Sequence, residues 1–202
     1  MVDADVRLGL SGSDLAIRNR TFQSGLVATA GTAYDLSSHK MFTAMVASGL
    51  DKVILATGIN SGIPDIHVEA SAIVDVLWLA KSLPGSYNLL SDCFCVDRLA
   101  FPNQKRFEVI YSLYSISDAD RLTIRVSVDE GQSIPTAVDV YPAVNWPERE
   151  VFDMFGVEFK GHPDMRRILM PDDWHGHPLR KDFPLGGEEV EFSHNVRDQE
   201  AH

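Results

Sequence analysis

Basic charge is scarce in this 202-residue chain: 18 Lys and Arg stand against 29 Asp and Glu, a formal net charge of −11. A nucleic-acid binder needs a basic face to displace counterions from phosphates, so that class is disfavoured. A polybasic membrane anchor is disfavoured for the same reason. Long apolar runs are missing too. The greasiest stretches, "VILATGI" and "AIVDVLWLA", fall far short of the roughly 20 residues a spanning helix requires. The start, "MVDADVRLGL", carries two acids and lacks the basic end and apolar run of a secretory leader. Attachment to a membrane is therefore expected only through other proteins.

Cysteine is nearly absent. Cys93 and Cys95 are the only two, and an all-cysteine iron–sulfur cluster needs four thiolates, which this chain cannot supply alone. On a strand their spacing turns both thiols to one face, the pattern of two reduced, half-buried thiols. Catalytic loops are lacking as well. There is no G-x-S-x-G elbow, no glycine-rich phosphate loop ending in Lys-Ser/Thr, and no G-x-G-x-x-G.

What is present is an ordinary globular composition, 45% apolar and 23% charged, enough to bury a core. Residues 1–35 form a lead-in of weak periodicity with one strand expected near Leu26 to Thr29. "SHKMFTAMVASGL" places Met41, Phe42, Met45 and Val46 on one helical face, with Ser37 or Ser38 as cap and Gly49 as stop. "DKVILATG" reads as a strand and "NSGIPD" as a turn. "HVEASAIVDVLWLAKSLPG" is the clearest helix, with Ile73, Val74, Leu77, Trp78 and Lys81 on its stripe and the Lys81 charge pointing outward. "YNLLSDCFCVD" is a strand. "RFEVIYSLYSI" and "DRLTIRVSVD" alternate with period two around "SDAD", an antiparallel hairpin whose inner faces are Phe107, Val109, Tyr111, Leu113 and Leu122, Ile124, Val126, Val128. The fold class is α+β: a mostly antiparallel sheet with two helices on one face over residues 36–130, followed by an irregular C-terminal arm over 131–202.

That last third is punctuated by Pro135, Pro142, Pro147, Pro163, Pro171, Pro178 and Pro184. Its one periodic piece, "NWPEREVFDMFG", predicts a helix starting at Pro147. Val151, Phe152, Met154 and Phe155 form its apolar side, Arg149 pairs with Asp153 across a turn, and Gly156 ends it. Beyond lies "GHPDMRRILMPDDWHGHPLRKDFPL". His162, His175 and His177 with Asp172 and Asp173 are metal-ligand types, but they sit on proline-stiffened loop without helical ligand spacing. Glu148 and Glu150, or Asp172 and Asp173, are carboxylate pairs of the kind used in acid–base work, but arginines flank them and ion pairing is the commoner fate. A docking role fits better. Arg166, Arg167, Arg180 and Lys181 supply donors, Trp174 and Phe183 supply anchors, and proline stiffness lowers the ordering cost. Packing of the same residues back onto their own sheet is the competing reading.

These residues resemble a known signature. E-R-E-x-x-D-M-F-G falls on Glu148, Arg149, Glu150, Asp153, Met154, Phe155 and Gly156. G-H-P-x-x-R-R-I-L falls on Gly161, His162, Pro163, Arg166, Arg167, Ile168 and Leu169. G-H-P-L-R-K-D-[FY]-P falls on Gly176, His177, Pro178, Leu179, Arg180, Lys181, Asp182, Phe183 and Pro184. The chain is thereby similar to the C subunit of respiratory complex I, the proton-translocating NADH:quinone oxidoreductase, over about Tyr87 to Leu185. The resemblance implies a non-catalytic peripheral-arm subunit on the cytoplasmic face of a bacterial inner membrane. NADH, FMN, iron–sulfur clusters and quinone are then bound by other subunits, not by this chain. It implies that the C-terminal part, from Glu148 to Pro184 and including Trp174, docks on the D subunit, with the B and I subunits nearby. A related subunit of a membrane-bound hydrogenase or formate hydrogenlyase is the alternative.

Overall fold

The computed structural model of the protein describes residues 39–101 and 104–184. The expected strand near Leu26 to Thr29 and the Ser37 or Ser38 cap lie outside them. Helix α1 spans Lys40–Ser48, buries Met41, Phe42 and Met45, and ends at Gly49. Strands β1 (Ile54–Asn60) and β2 (Ile63–Val68) follow as an antiparallel pair. The segment read as a turn, "NSGIPD", therefore supplies the bend of a hairpin and the start of β2. Helix α2 is Ile73–Ser82. Strands β3 (Leu89–Asp97), β4 (Phe107–Ser115) and β5 (Asp120–Val128) complete a five-stranded sheet of order β1-β2-β5-β4-β3. Only the β2–β5 pairing is parallel.

The inward rows read from sequence are the ones observed. Leu113 faces Leu122, Tyr111 faces Ile124 and Val109 faces Val126 across the β4–β5 ladder. All six are without exposed surface. They form one core with Met41 and Met45 of α1, Ile73, Val76 and Leu77 of α2, and Val151 of the third helix. Cys93 and Cys95 are free and buried on the same face of β3. Burial, the largest influence, pushes the Cys95 thiol up to about 12, so neither is a poised nucleophile.

The α2 stripe is rotated from the sequence reading. Ile73, Val76, Leu77 and Ala80 are buried, whereas Trp78 is 47% exposed. Lys81 does not point outward: its Nζ donates to the Val140 carbonyl at 2.5 Å and lies over the Trp78 and Tyr141 rings. The two rings add a modest cation–π attraction to that hydrogen bond.

After β5 come two short strands, β6 (Ser133–Pro135) and β7 (Glu158–Lys160), paired in parallel. Between them α3 runs Asn145–Phe155 behind a 3₁₀ turn at Pro142–Val144. The start expected at Pro147 is thus corrected to Asn145. The incoming turn already holds the chain in helical conformation, so Trp146 is carried into the helix despite the proline behind it.

Candidate docking surface

Asp153, on α3, is the centre of the site. It has no exposed surface. Its Oδ2 accepts the backbone N–H groups of Ile168, Leu169 and Met170 at 3.0, 2.8 and 2.9 Å. Its Oδ1 accepts Arg167 Nη1 at 2.5 Å. Burial would raise this carboxyl, but three N–H donors and a guanidinium outweigh it and hold Asp153 below the usual carboxylate range. The Arg149–Asp153 pair expected along the helix does not form. Arg149 instead donates to the carbonyls of Arg166 and Arg167 at 3.0 and 3.1 Å and lies 3.8 Å from Asp164. Both residues of α3 are spent on capturing residues 164–170.

The C-terminal end of α3 captures the rest of the arm. Arg167 Nη1 and Nη2 also reach the Asp153 and Gly176 carbonyls. His177 Nδ1 bonds the Asp153 carbonyl at 2.9 Å, and Arg180 Nε donates to the Phe155 carbonyl at 2.6 Å. The Leu179 N–H reaches the Met154 carbonyl. The Asp153, Met154 and Phe155 carbonyls are ones a helix end leaves without intrahelical partners. Gly156 permits it. Its φ is +75°, and a Cβ there would stand 2.5 Å from both Arg180 Nη2 and His177 Nε2.

A second clasp joins the arm to the end of the sheet. Arg106, leading into β4, pairs with Asp182 at 2.5 Å, Glu130 at 2.8 Å and Asp97 at 3.4 Å. Arg180 Nη1 meets Glu130 at 2.5 Å, and the Lys181 N–H donates to Asp97 at 2.9 Å. The guanidiniums of Arg106 and Arg180 both lie over the Phe107 ring, 4.9 and 5.2 Å from its centre. Phe155 meets the same ring edge-on.

Residues 161–184 thus lie on their own body, the reading that competed with docking in the sequence. The charges of Arg149, Arg167 and Arg180 are met within the chain, Arg149 by carbonyls of the arm and Arg167 and Arg180 by acceptors of α3. His162, half-buried, accepts the Asp164 N–H at Nδ1, so its Nε2 carries the proton and donates to the Asn145 carbonyl. Its nitrogens are occupied, and among the described residues no three His, Cys, Asp or Glu converge as metal ligands.

The outward side has a different character. Trp146, Leu169 and Leu179 are 68%, 60% and 52% exposed. Glu150, Gly161, Pro163, Gly176, Lys181, Asp182 and Pro184 are exposed, while Trp174, Pro178 and Phe183 are half-buried. Arg166, 76% exposed, forks onto Asp164 at the surface. Glu148 is fully buried and belongs to the joint beneath the arm. Sequence reading missed Asp97, Arg106 and Glu130, the body's half of the clasp, because nothing in their spacing pairs them with residues 50 to 84 positions away. It also named Trp174 and Phe183 as anchors where Trp146 and Leu179 project further.

The chain matches the family model described as respiratory-chain NADH dehydrogenase, 30 Kd subunit, over residues 66–189. It is 43% identical over 150 residues to the NADH-quinone oxidoreductase C subunit of Roseiflexus sp. (strain RS-1), covering 73% of this chain and 85% of that one. It is 40% identical over 153 residues to the NADH-quinone oxidoreductase C/D subunit of Pseudomonas fluorescens (strain SBW25), covering 72% of this chain and 26% of that longer one. Among solved structures it resembles the trypsin-resistant fragment (1-134) of Nqo5 with a TM-score of 0.50, 27% identity and coverage of 61% and 98% of the two chains. It also resembles a chain of the membrane-bound sulfane sulfur reductase, an archaeal respiratory membrane complex, with a TM-score of 0.58, 25% identity and coverage of 79% and 95%. No helix among the described residues is long and apolar enough to cross a membrane. The chain belongs to the family of the 30 kDa subunit of respiratory-chain NADH dehydrogenase, the C subunit of complex I.

Proposed function

We propose that this chain is a non-catalytic, cofactor-free subunit of the NADH:quinone oxidoreductase that lies at the cytoplasmic face of the inner membrane and docks on the D subunit. The observation that carries the partner is the C/D relative, in which a stretch 40% identical to this chain shares one polypeptide with a D subunit. Fusion keeps two chains at high effective concentration, as expected of stable neighbours. Large apolar side chains exposed on α3 and the arm, Trp146, Leu169 and Leu179, supply the kind of surface an interface core uses. Because Arg149, Arg167 and Arg180 are satisfied internally, they act here as positioning residues that shape the surface. Electrons pass from NADH to quinone through other subunits. The identities of 40–50% to quinone oxidoreductase subunits favour this enzyme over a hydrogenase-type complex.

The test is copurification from membranes with a tagged chain. Leu169→Asp with Leu179→Asp should cut recovery of the D subunit by roughly tenfold or more, while thermal melting of the purified chain stays as in wild type. Undiminished recovery would contradict docking through this surface.

A further inference from the structure

Glu148 differs from the other buried carboxylates of the described chain. Glu108 accepts from Arg98 and Arg125, Asp97 pairs with Arg106, and Asp153 pairs with Arg167. Glu148 has no exposed surface, yet its hydrogen-bond partners are neutral: the Thr136 hydroxyl, 2.5 Å from Oε2, can donate to the ion or accept from the acid, and the Ala137 N–H donates to Oε1 at 2.8 Å. A carboxylate removed from water without a cation is the costliest state of such a group.

Its surroundings offer the ion little. Cys93 on β3 and Tyr111 on β4, cross-strand partners, interact with it electrostatically from the core. Both are buried groups whose pKa is raised, by burial first and by the Glu148 charge among further causes. The Tyr111 hydroxyl is buried without a hydrogen-bond partner. On α3 itself Arg149 is turned to the arm's carbonyls and Glu150 is exposed; on β7 Glu158 and Lys160 are exposed.

We propose that Glu148 is a proton-binding site at the joint of body and arm, holding its proton in the packed state and loosening the joint when it gives the proton up. The two groups it bonds lead directly out of β6, whose partner β7 begins the arm. Charge on Glu148 therefore acts where the arm leaves the body. Burial raises this carboxyl to about 7, the Ala137 and Thr136 bonds pulling it only partly back. A folded value above the unfolded one means that this contribution to stability is fully present below about 4.5. It falls as pH rises toward 7 and is gone above that, roughly a 300-fold change in the folding equilibrium.

Carboxyl-carbon NMR of the full chain labelled at glutamate reads the site directly, with Glu148 assigned through its own backbone. The expected result is a Glu148 midpoint near neutrality. Protection of the Ala137 amide should also fall by about tenfold between pH 6 and pH 8 beyond the intrinsic rise of exchange. In Glu148→Gln the urea midpoint should lose the part of its pH dependence between 5 and 8 that this group supplies. A Glu148 midpoint in the ordinary carboxylate range would overturn the proposal, and so would an unchanged pH profile in Glu148→Gln. Should that variant fail to fold, the wild-type titration decides alone.

Discussion

The body and the arm of this protein are held by different forces. In the β4–β5 hairpin the inward rows are apolar but for the Tyr111 hydroxyl and almost wholly buried, so its order comes from removing hydrocarbon from water. Residues 161–184 bury little of that kind. They are held by carboxylates that accept backbone N–H groups and by guanidiniums that donate to backbone carbonyls at α3 and the sheet end. Charge-assisted bonds of this sort are directional and strong where water is excluded. They fix a shape without a core, which leaves Leu169 and Leu179 free to face outward. An arm built this way can be rigid and still present an apolar side to a partner.

The contrast is broken most severely from the body side. Ile124→Ala removes a fully buried side chain of the core and should cost about 3 kcal/mol or more of global stability, seen as a lower urea midpoint with protection lost across β3, β4 and β5 together. Asp153→Asn removes one half of a buried pair and weakens the acceptor of three N–H groups. Its cost, roughly 3 kcal/mol, should fall on the arm: amides 168–170 lose protection while the hairpin keeps its own. Acid should mimic it. Because the folded Asp153 value is depressed, its contribution is present above the unfolded carboxylate value and lost as pH falls through the folded one, detaching the arm before the sheet melts.

Smaller changes sharpen the comparison. Gly156→Ala places a methyl against His177 and Arg180 in a left-handed backbone, so about 1–2 kcal/mol of strain should appear as exchange near residues 177–180. Arg166→Ala touches only the surface fork to Asp164 and should shift stability by less than about 0.5 kcal/mol. Its effect on recovery of the D subunit then separates a partner contact from an internal one.

Much of the body was legible in the amino-acid sequence alone. Period-two alternation located the inward rows of the hairpin of residues 107–128, although Glu108, Ile110 and Arg125 of the other face are buried as well. Strands β6 and β7 were not legible, because three residues carry no periodicity and their partners are 25 positions apart. The α2 rotation was missed because Trp78 and Val76 both suit a core, and only packing decides between them. The arm's arginines were named in the sequence reading. Their partners were not, since an arginine in sequence announces a donor and says nothing of which acceptor it finds. Arg167 finds Asp153 and Arg106 finds Asp182, pairings set by the path of the chain.

The most direct test is hydrogen exchange on the isolated full chain, read at the amides of Ile168, Leu169 and Met170. Protection of about a hundredfold or more with no partner protein present, abolished by Asp153→Asn, is the result expected if the arm is built on its own body. Exchange at unprotected rates, with protection appearing only when the D subunit is added, would contradict it.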